Sequence, residues 1–286
     1  MMNTKAFILL TGLLVLAAGL EAQTVKGNGK VVTRTVNITD YDRIVVTGSA
    51  TFEYEQSDAA PFLSITMDEN LFEYIRADVE GRKLTIGPKK EMRHRNGYSP
   101  TVYKIKSNSK GLKDLSKSGS SDFIVTGALR LGELNINSSG SGDIEFAKEV
   151  SGKEMRINLS GSGNIRTKGG VVLEEMNVNL AGSGKINAGK MKVESFHCSV
   201  AGSGRAEIDG SAGKAYFSVA GSGSVKGFDL KAQQVSASVT GSGRIELFAV
   251  DELTATSFGS GSISYRGAPR SISKESGGSG SIRQAD

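Results

Sequence analysis

The tripeptide Gly-Ser-Gly starts at Gly140, Gly161, Gly182, Gly202, Gly221, Gly241, Gly259 and Gly278. The steps between copies are 21, 21, 20, 19, 20, 18 and 19 residues, and a degenerate copy stands at Gly119-Ser120-Ser121. A period near twenty held over eight copies marks a chain built from one small repeated unit. Sequence rich in glycine and serine is otherwise typical of flexible linkers, so the flanking residues decide between the two readings.

Aligned on the first glycine, the position four before it reads Ile136, Ile157, Val178, Cys198, Phe217, Ala237 and Ala255. Six before it stand Leu134, Met155, Met176, Phe196, Ala215, Val235 and Leu253, and four after it Ile144, Ile165, Ile186, Ala206, Val225, Ile245, Ile263 and Ile282. Two before it, from the second copy, come Leu159, Leu180, Val200, Val219 and Val239. The positions between are polar. Alternation at period two on both sides of a glycine turn predicts strand, turn and strand, and a linker has no reason to keep four apolar columns in register. A coil this short cannot bury its apolar side alone, so successive coils stack in parallel about 4.8 Å apart and share one core.

The predicted fold is therefore all-β. Residues 118–286 form a parallel β-solenoid, or β-helix, with about 20 residues per coil, preceded by a β-rich N-terminal part over residues 23–117 that packs on or continues the solenoid. Eight or nine coils at the strand spacing make a rod about 40 Å long. Three positions before the triplet, the outward column Asn137, Asn158, Asn179, Ser199, Ser218, Ser238 and Thr256 predicts ladders of amides and hydroxyls that reinforce the stacking. The triplet serines are expected to bond to one another up and down the stack.

The N-terminal part lacks the triplet and reads as strands at 43–46, 51–54, 62–65, 83–86 and 102–105. Asp68-Glu69-Asn70 ahead of Leu71, Phe72, Tyr74 and Ile75 predicts one short helix capped by Asp68. Before it all, Lys5 and the apolar run 6–20 lead to Ala22, the pattern of a secretory signal peptide over residues 1–22. The run is shorter than the roughly 20 residues a membrane helix needs. No transmembrane segment is expected in the mature chain, which is exported to the periplasm, the outer-membrane surface or the medium. The single cysteine, Cys198, rules out an intrachain disulfide, and its place predicts no lipoprotein anchor.

Charge is segregated along the chain. Residues 23–81 carry five basic and ten acidic side chains, while residues 82–117 carry eleven basic and two acidic. The densest cluster is Lys89, Lys90, Arg93 and Arg95, with His94 among them. Such a cluster attracts polyanions; export and the scarcity of aromatic residues nearby turn the reading from nucleic acid to an anionic glycan or another envelope component. A solvated loop that keeps the protein soluble is the competing explanation.

Asp42-Arg43-Ile44-Val45-Val46-Thr47-Gly48, Asp68-Glu69-Asn70-Leu71 and Gly81-Arg82-Lys83-Leu84-Thr85-Ile86, followed by the triplets, form an ordered set of motifs. From about residue 31 onward they resemble the family described as "putative auto-transporter adhesin, head GIN domain". The resemblance implies an exported β-helical protein with no assigned activity and no catalytic residue to carry over. Members often follow the triplet with Asp. Here Asp143 does so, and Asn164, Lys185, Arg205, Ser224, Arg244 and Ser262 follow the later copies.

That column speaks against calcium, which calcium-binding solenoids hold with a repeated Asp. Zinc or nucleophilic chemistry needs clustered His, Cys or carboxylates. His197 and Cys198 are neighbours in a strand and point to opposite faces, so no metal, cofactor or catalytic residue is expected. The enzyme alternative is a polysaccharide lyase or hydrolase, since β-solenoids host both. It needs paired carboxylates, or a base with a neutralising cation, on one surface. The column five after the triplet alternates instead, as Glu145, Arg166, Asn187, Glu207, Lys226 and Glu246. The sequence reads as a non-catalytic, adhesin-like or structural protein of the cell envelope.

Overall fold

The computed structural model describes residues 24–94 and 97–286; the signal peptide read at 1–22 lies outside them. Nine strands precede the repeats: β1 (Val25–Lys26), β2 (Val31–Asn37), β3 (Arg43–Gly48), β4 (Thr51–Gln56), β5 (Phe62–Asp68), β6 (Ile75–Glu80), β7 (Lys83–Pro88), β8 (Tyr98–Ser99) and β9 (Tyr103–Ser109). A 3-10 helix, Glu69–Tyr74, joins β5 to β6, and a second, Lys90–His94, follows β7. The repeats open with β10 (Asp114–Gly119), β11 (Asp122–Val125), β12 (Leu129–Gly140) and β13 (Ile144–Phe146), and that pattern recurs to the last strands, Ser271–Gly278 and Ser281–Gln284.

The result is a β-solenoid of about nine coils of about 20 residues. Pairing is parallel and in the register of the triplets. Leu115 pairs with Ile136, which leads coil by coil through Ile157, Val178, Cys198, Phe217 and Ala237 to Ala255. In the coil of β12 and β13, Leu129, Leu131, Leu134, Ile136, Ile144 and Phe146 are buried, and one core runs without a break from Tyr41 to Tyr265.

Gly161 shows why the turn needs glycine. Its φ is 117°, a region open to few residues but glycine, and a Cβ there would stand 2.5 Å from the carbonyl oxygen of Gly140 in the coil before. The stacking bond at the turn differs from the one expected. The amide of Ser162 donates to the Gly140 carbonyl at 3.0 Å, and Ser183 and Ser203 repeat the bond to Gly161 and Gly182 at the same distance. The serine hydroxyls face water, and among the described residues none bonds to another triplet serine. The backbone already makes the ladder, so the side chain is free of it.

Parallel stacking continues toward the N-terminus. β3 and β4 flank Gly48-Ser49-Ala50 and pair with β10 and β11, with Gly48 set on Gly119. β7 adds to β3 and β9 to β4, both in parallel. Then the direction switches: β6 is antiparallel to β7, β5 to β9, and β2 to β5. The strands expected at 43–46, 51–54, 62–65, 83–86 and 102–105 appear as β3, β4, β5, β7 and β9.

Asp68 does something other than cap the helix that follows, with which its side chain makes no capping bond. Its buried carboxylate accepts the amides of Gly29 at 2.8 Å and Thr101 at 2.7 Å, and the Thr101 hydroxyl at 2.9 Å. Burial alone would raise its pKa; these donors outweigh burial and hold it below the usual carboxylate range. The residue is a clasp between the loops that lead into β2 and β9.

Candidate functional surface

Of the four basic residues singled out in the sequence, Lys89 and Lys90 are exposed, at the start of the second 3-10 helix. The Lys89 backbone is anchored by its amide to the Tyr74 carbonyl at 2.9 Å. Among the described residues neither ammonium has a carboxylate within ion-pair distance. Arg93 lies in the same helix, and Arg95 falls outside the described residues. The rest of the basic stretch is neutralised in part. Arg82 and Lys113 converge on Asp42 at 3.1 and 3.5 Å, Lys106 pairs with Glu53 at 2.9 Å, and Lys117 is buried. Burial would raise the Asp42 carboxyl, but Arg82 and Lys113 hold it below its ordinary value.

Along the repeats the outward columns form ladders. Asn158 donates its amide to Asn137 at 3.1 Å, and Asn179 donates to Asn158 at 3.0 Å. On the other side of the turn the ladder is ionic: Arg166 reaches Asp143 and Lys168 reaches Glu145, both at 2.8 Å, and Glu207 lies between Lys185 at 2.6 Å and Lys226 at 3.5 Å. Lys185, then Lys226, hold the Glu207 carboxyl below its ordinary pKa. A carboxylate held in that way is a poor general acid. Among the described residues no three His, Cys, Asp or Glu side chains converge as a metal-ligand set, and no helix is long and apolar enough to cross a membrane.

Cys198 is buried in the core, and burial pushes its thiol up to about 12, so it is not a ready nucleophile. His197 faces outward and stacks on Tyr216, with ring centroids 4.3 Å apart and planes 8° from parallel. Beside the pair lies an open trough of about 840 Å³ lined by Glu194, Lys214, Gln234, Glu252 and Ser271, among others. The sequence reading points His197 and Cys198 to opposite faces of their strand but does not extend to the trough. Ser195, Lys214, Gln234, Glu252 and Ser271 each stand seven residues before a triplet glycine, so the column is regular in the sequence although the hollow beside it is not written there.

Fold and surface together define a class: an exposed stack of β-coils that offers long ladders of amides, hydroxyls and paired charges. Residues 40–209 and 175–269 match the family model described as "Putative auto-transporter adhesin, head GIN domain", and the chain belongs to that family. Three solved structures from Parabacteroides share the fold. A "putative lipid binding protein" from Parabacteroides distasonis ATCC 8503 is 42% identical with a TM-score of 0.73, covering 92% of this chain and 100% of that one. A "putative adhesin" from Parabacteroides merdae ATCC 43184 is 31% identical with a TM-score of 0.72, covering 93% and 100%. A second "putative adhesin" from Parabacteroides distasonis is 29% identical with a TM-score of 0.72, covering 92% and 100%. No curated protein matches the chain.

Proposed function

We propose that this protein is an exported, non-catalytic β-solenoid that acts by binding at the cell envelope, in the manner of an adhesin. Its contact for an anionic envelope component is the basic segment of Lys89, Lys90, Arg93 and Arg95. The observation that carries this reading is that Lys89 and Lys90 are adjacent, exposed and unpaired among the described residues, whereas Arg82, Lys106 and Lys113 of the same basic stretch are tied to carboxylates. The adhesin descriptions of the family and of two of the solved relatives support it. A lipid headgroup is a second source of the same anionic chemistry, and the 42% identical relative is described as a "putative lipid binding protein".

The test offers the wild-type protein two probes: a sulfated glycan, and vesicles containing phosphatidylglycerol. Binding to the first, weakened by salt within the range where exposed charges are screened and abolished by K89E/K90E/R93E/R95E, is the expected result. The same pattern on vesicles alone would assign the site to a lipid headgroup. Wild-type protein that binds neither probe at low salt would overturn the assignment of the basic segment.

A further inference from the structure

The geometry points to a second binding site, for a neutral glycan chain, in the trough beside His197 and Tyr216. It lies at a different place from the basic segment and selects the opposite kind of ligand.

The aromatic wall comes from the register. His197 and Tyr216 are partners in adjacent coils, so their parallel rings face along the solenoid axis. The next residues in that column are Ser236 and then Thr254. The ring stack therefore stops at Tyr216, and among the described residues no further ring covers its far side. Tyr216 is 40% exposed, whereas Phe196 and Phe217, which point inward from the same strands, are buried. A flat, rigid ring with one open face is the surface on which the C–H face of a sugar ring packs.

The floor is a polar ladder. Ser195, Lys214, Gln234, Glu252 and Ser271 pair in sequence across five coils. A donor or acceptor thus recurs at every step over about 19 Å, four strand spacings. Gln234 already donates to Glu252 at 3.2 Å, which aims their remaining lone pairs and protons outward. Hydroxyl-rich ligands need many such groups, alternately giving and taking, around an apolar wall. An array that repeats coil after coil suits a chain of sugars better than a single one. Glu194, Asp251 and Glu252 outnumber Lys214 around the trough, a balance that repels uronate or sulfate chains.

Calorimetric titration of the full mature protein with neutral hexamers of glucose, mannose, galactose and N-acetylglucosamine tests the site, with a hexauronate and hexalysine as charged probes. Saturable binding to a neutral hexamer is expected, weakened about tenfold or more by Tyr216→Ala. Tyr216→Phe, which keeps the ring, should retain the affinity, and K89E/K90E should leave it unchanged. Serine stands next in the same column, so the alanine variant fits the fold, and an unaltered melting temperature checks this. No binding to any neutral hexamer at about 1 mM, binding indifferent to Tyr216→Ala, or preference for the uronate or lysine hexamer would each overturn the proposal. None of those results touches the anionic site, whose own variants report on it.

Discussion

Lys117 occupies an inward column that later coils fill with Leu159, Leu180, Val200, Val219 and Val239, and it is 2% exposed. A cation survives there because of what two aspartates do nearby. In the later coils the amide after each triplet donates to the last triplet carbonyl of the coil before, as Arg205 does to Gly184 at 3.1 Å and Ser224 to Gly204 at 3.0 Å. At the start of the solenoid the Asp143 amide goes to the Asp122 carboxylate at 2.8 Å, and the Asn164 amide to the Asp143 carboxylate at 2.9 Å. The carbonyls of Ser121 and Gly142 lose their donors, and the Lys117 ammonium supplies both, at 2.8 and 2.6 Å. Burial lowers its pKa, while Asp122 and Asp143 push the other way. Lys117→Met keeps the bulk and strands two buried acceptors, so it should destabilise the fold by about 2–4 kcal/mol in urea titrations. Adding Asp122→Ala and Asp143→Ala frees the amides and should shrink that cost, a coupling that a mutant cycle reads directly. A Lys117→Met variant as stable as the parent would sink the account.

The N-terminal strands are held by a different device, tyrosines sunk in the core. The Tyr41 hydroxyl donates to Ser107 at 2.7 Å, and Tyr54 shares a bond of 2.9 Å with Ser109. Burial raises the phenols of Tyr41, Tyr54 and Tyr103, that of Tyr54 to about 12. A group whose folded pKa lies above its unfolded one contributes stability that is intact below the unfolded value and lost as pH climbs through the folded one. Stability should therefore hold through neutral pH and fall from about pH 9, where Cys198 begins to contribute, to about 12. Denaturant midpoints across that range should show the decline, and Tyr54→Phe should make it shallower; an unchanged slope would remove Tyr54 from the account. At this scale much was legible in advance. Every parallel pair from Leu115 to Ala255 follows from sliding one triplet onto the next. The same alignment extends to Gly48-Ser49-Ala50, with Ile44 four before and Phe52 four after, but without the second glycine the copy escaped notice. β2 was missed because an edge strand buries neither face well: Val31 and Val36 are 40% and 53% exposed, so the half-buried alternation that marks a strand is absent. The start of β6 was absorbed into the expected helix because Leu71, Phe72, Tyr74 and Ile75 have helical spacing.

For the molecule as a whole, the apparent charge of the stretch 82–117 was plain in the sequence, but its neutralisation was not. Asp42 meets Arg82 and Lys113 only once β3, β7 and β10 lie side by side, so counting overstated the field available to a ligand. The trough was hidden for another reason: Ser195, Lys214, Gln234, Glu252 and Ser271 each stand seven residues before a triplet and so share a column in the sequence, but the open space beside the His197–Tyr216 stack exists only in the folded chain. The stack itself also determines how the molecule bears a load. Each coil touches chiefly the coils on either side, and the apolar content thins toward the C-terminal side, where Ala237 and Ala255 replace Ile136 and Ile157 and the strand Ser271–Gly278 is almost wholly exposed. Pulled along its axis from the C-terminal side, such a body peels instead of snapping. Each coil released lengthens the tether by about 60–75 Å, the extended span of 18 to 21 residues. Force–extension traces should then show a train of small, regular steps before the N-terminal strands give way, whereas one large rupture would mean that the coils share their load. A stack of this kind is a shock absorber, giving way under load in small increments.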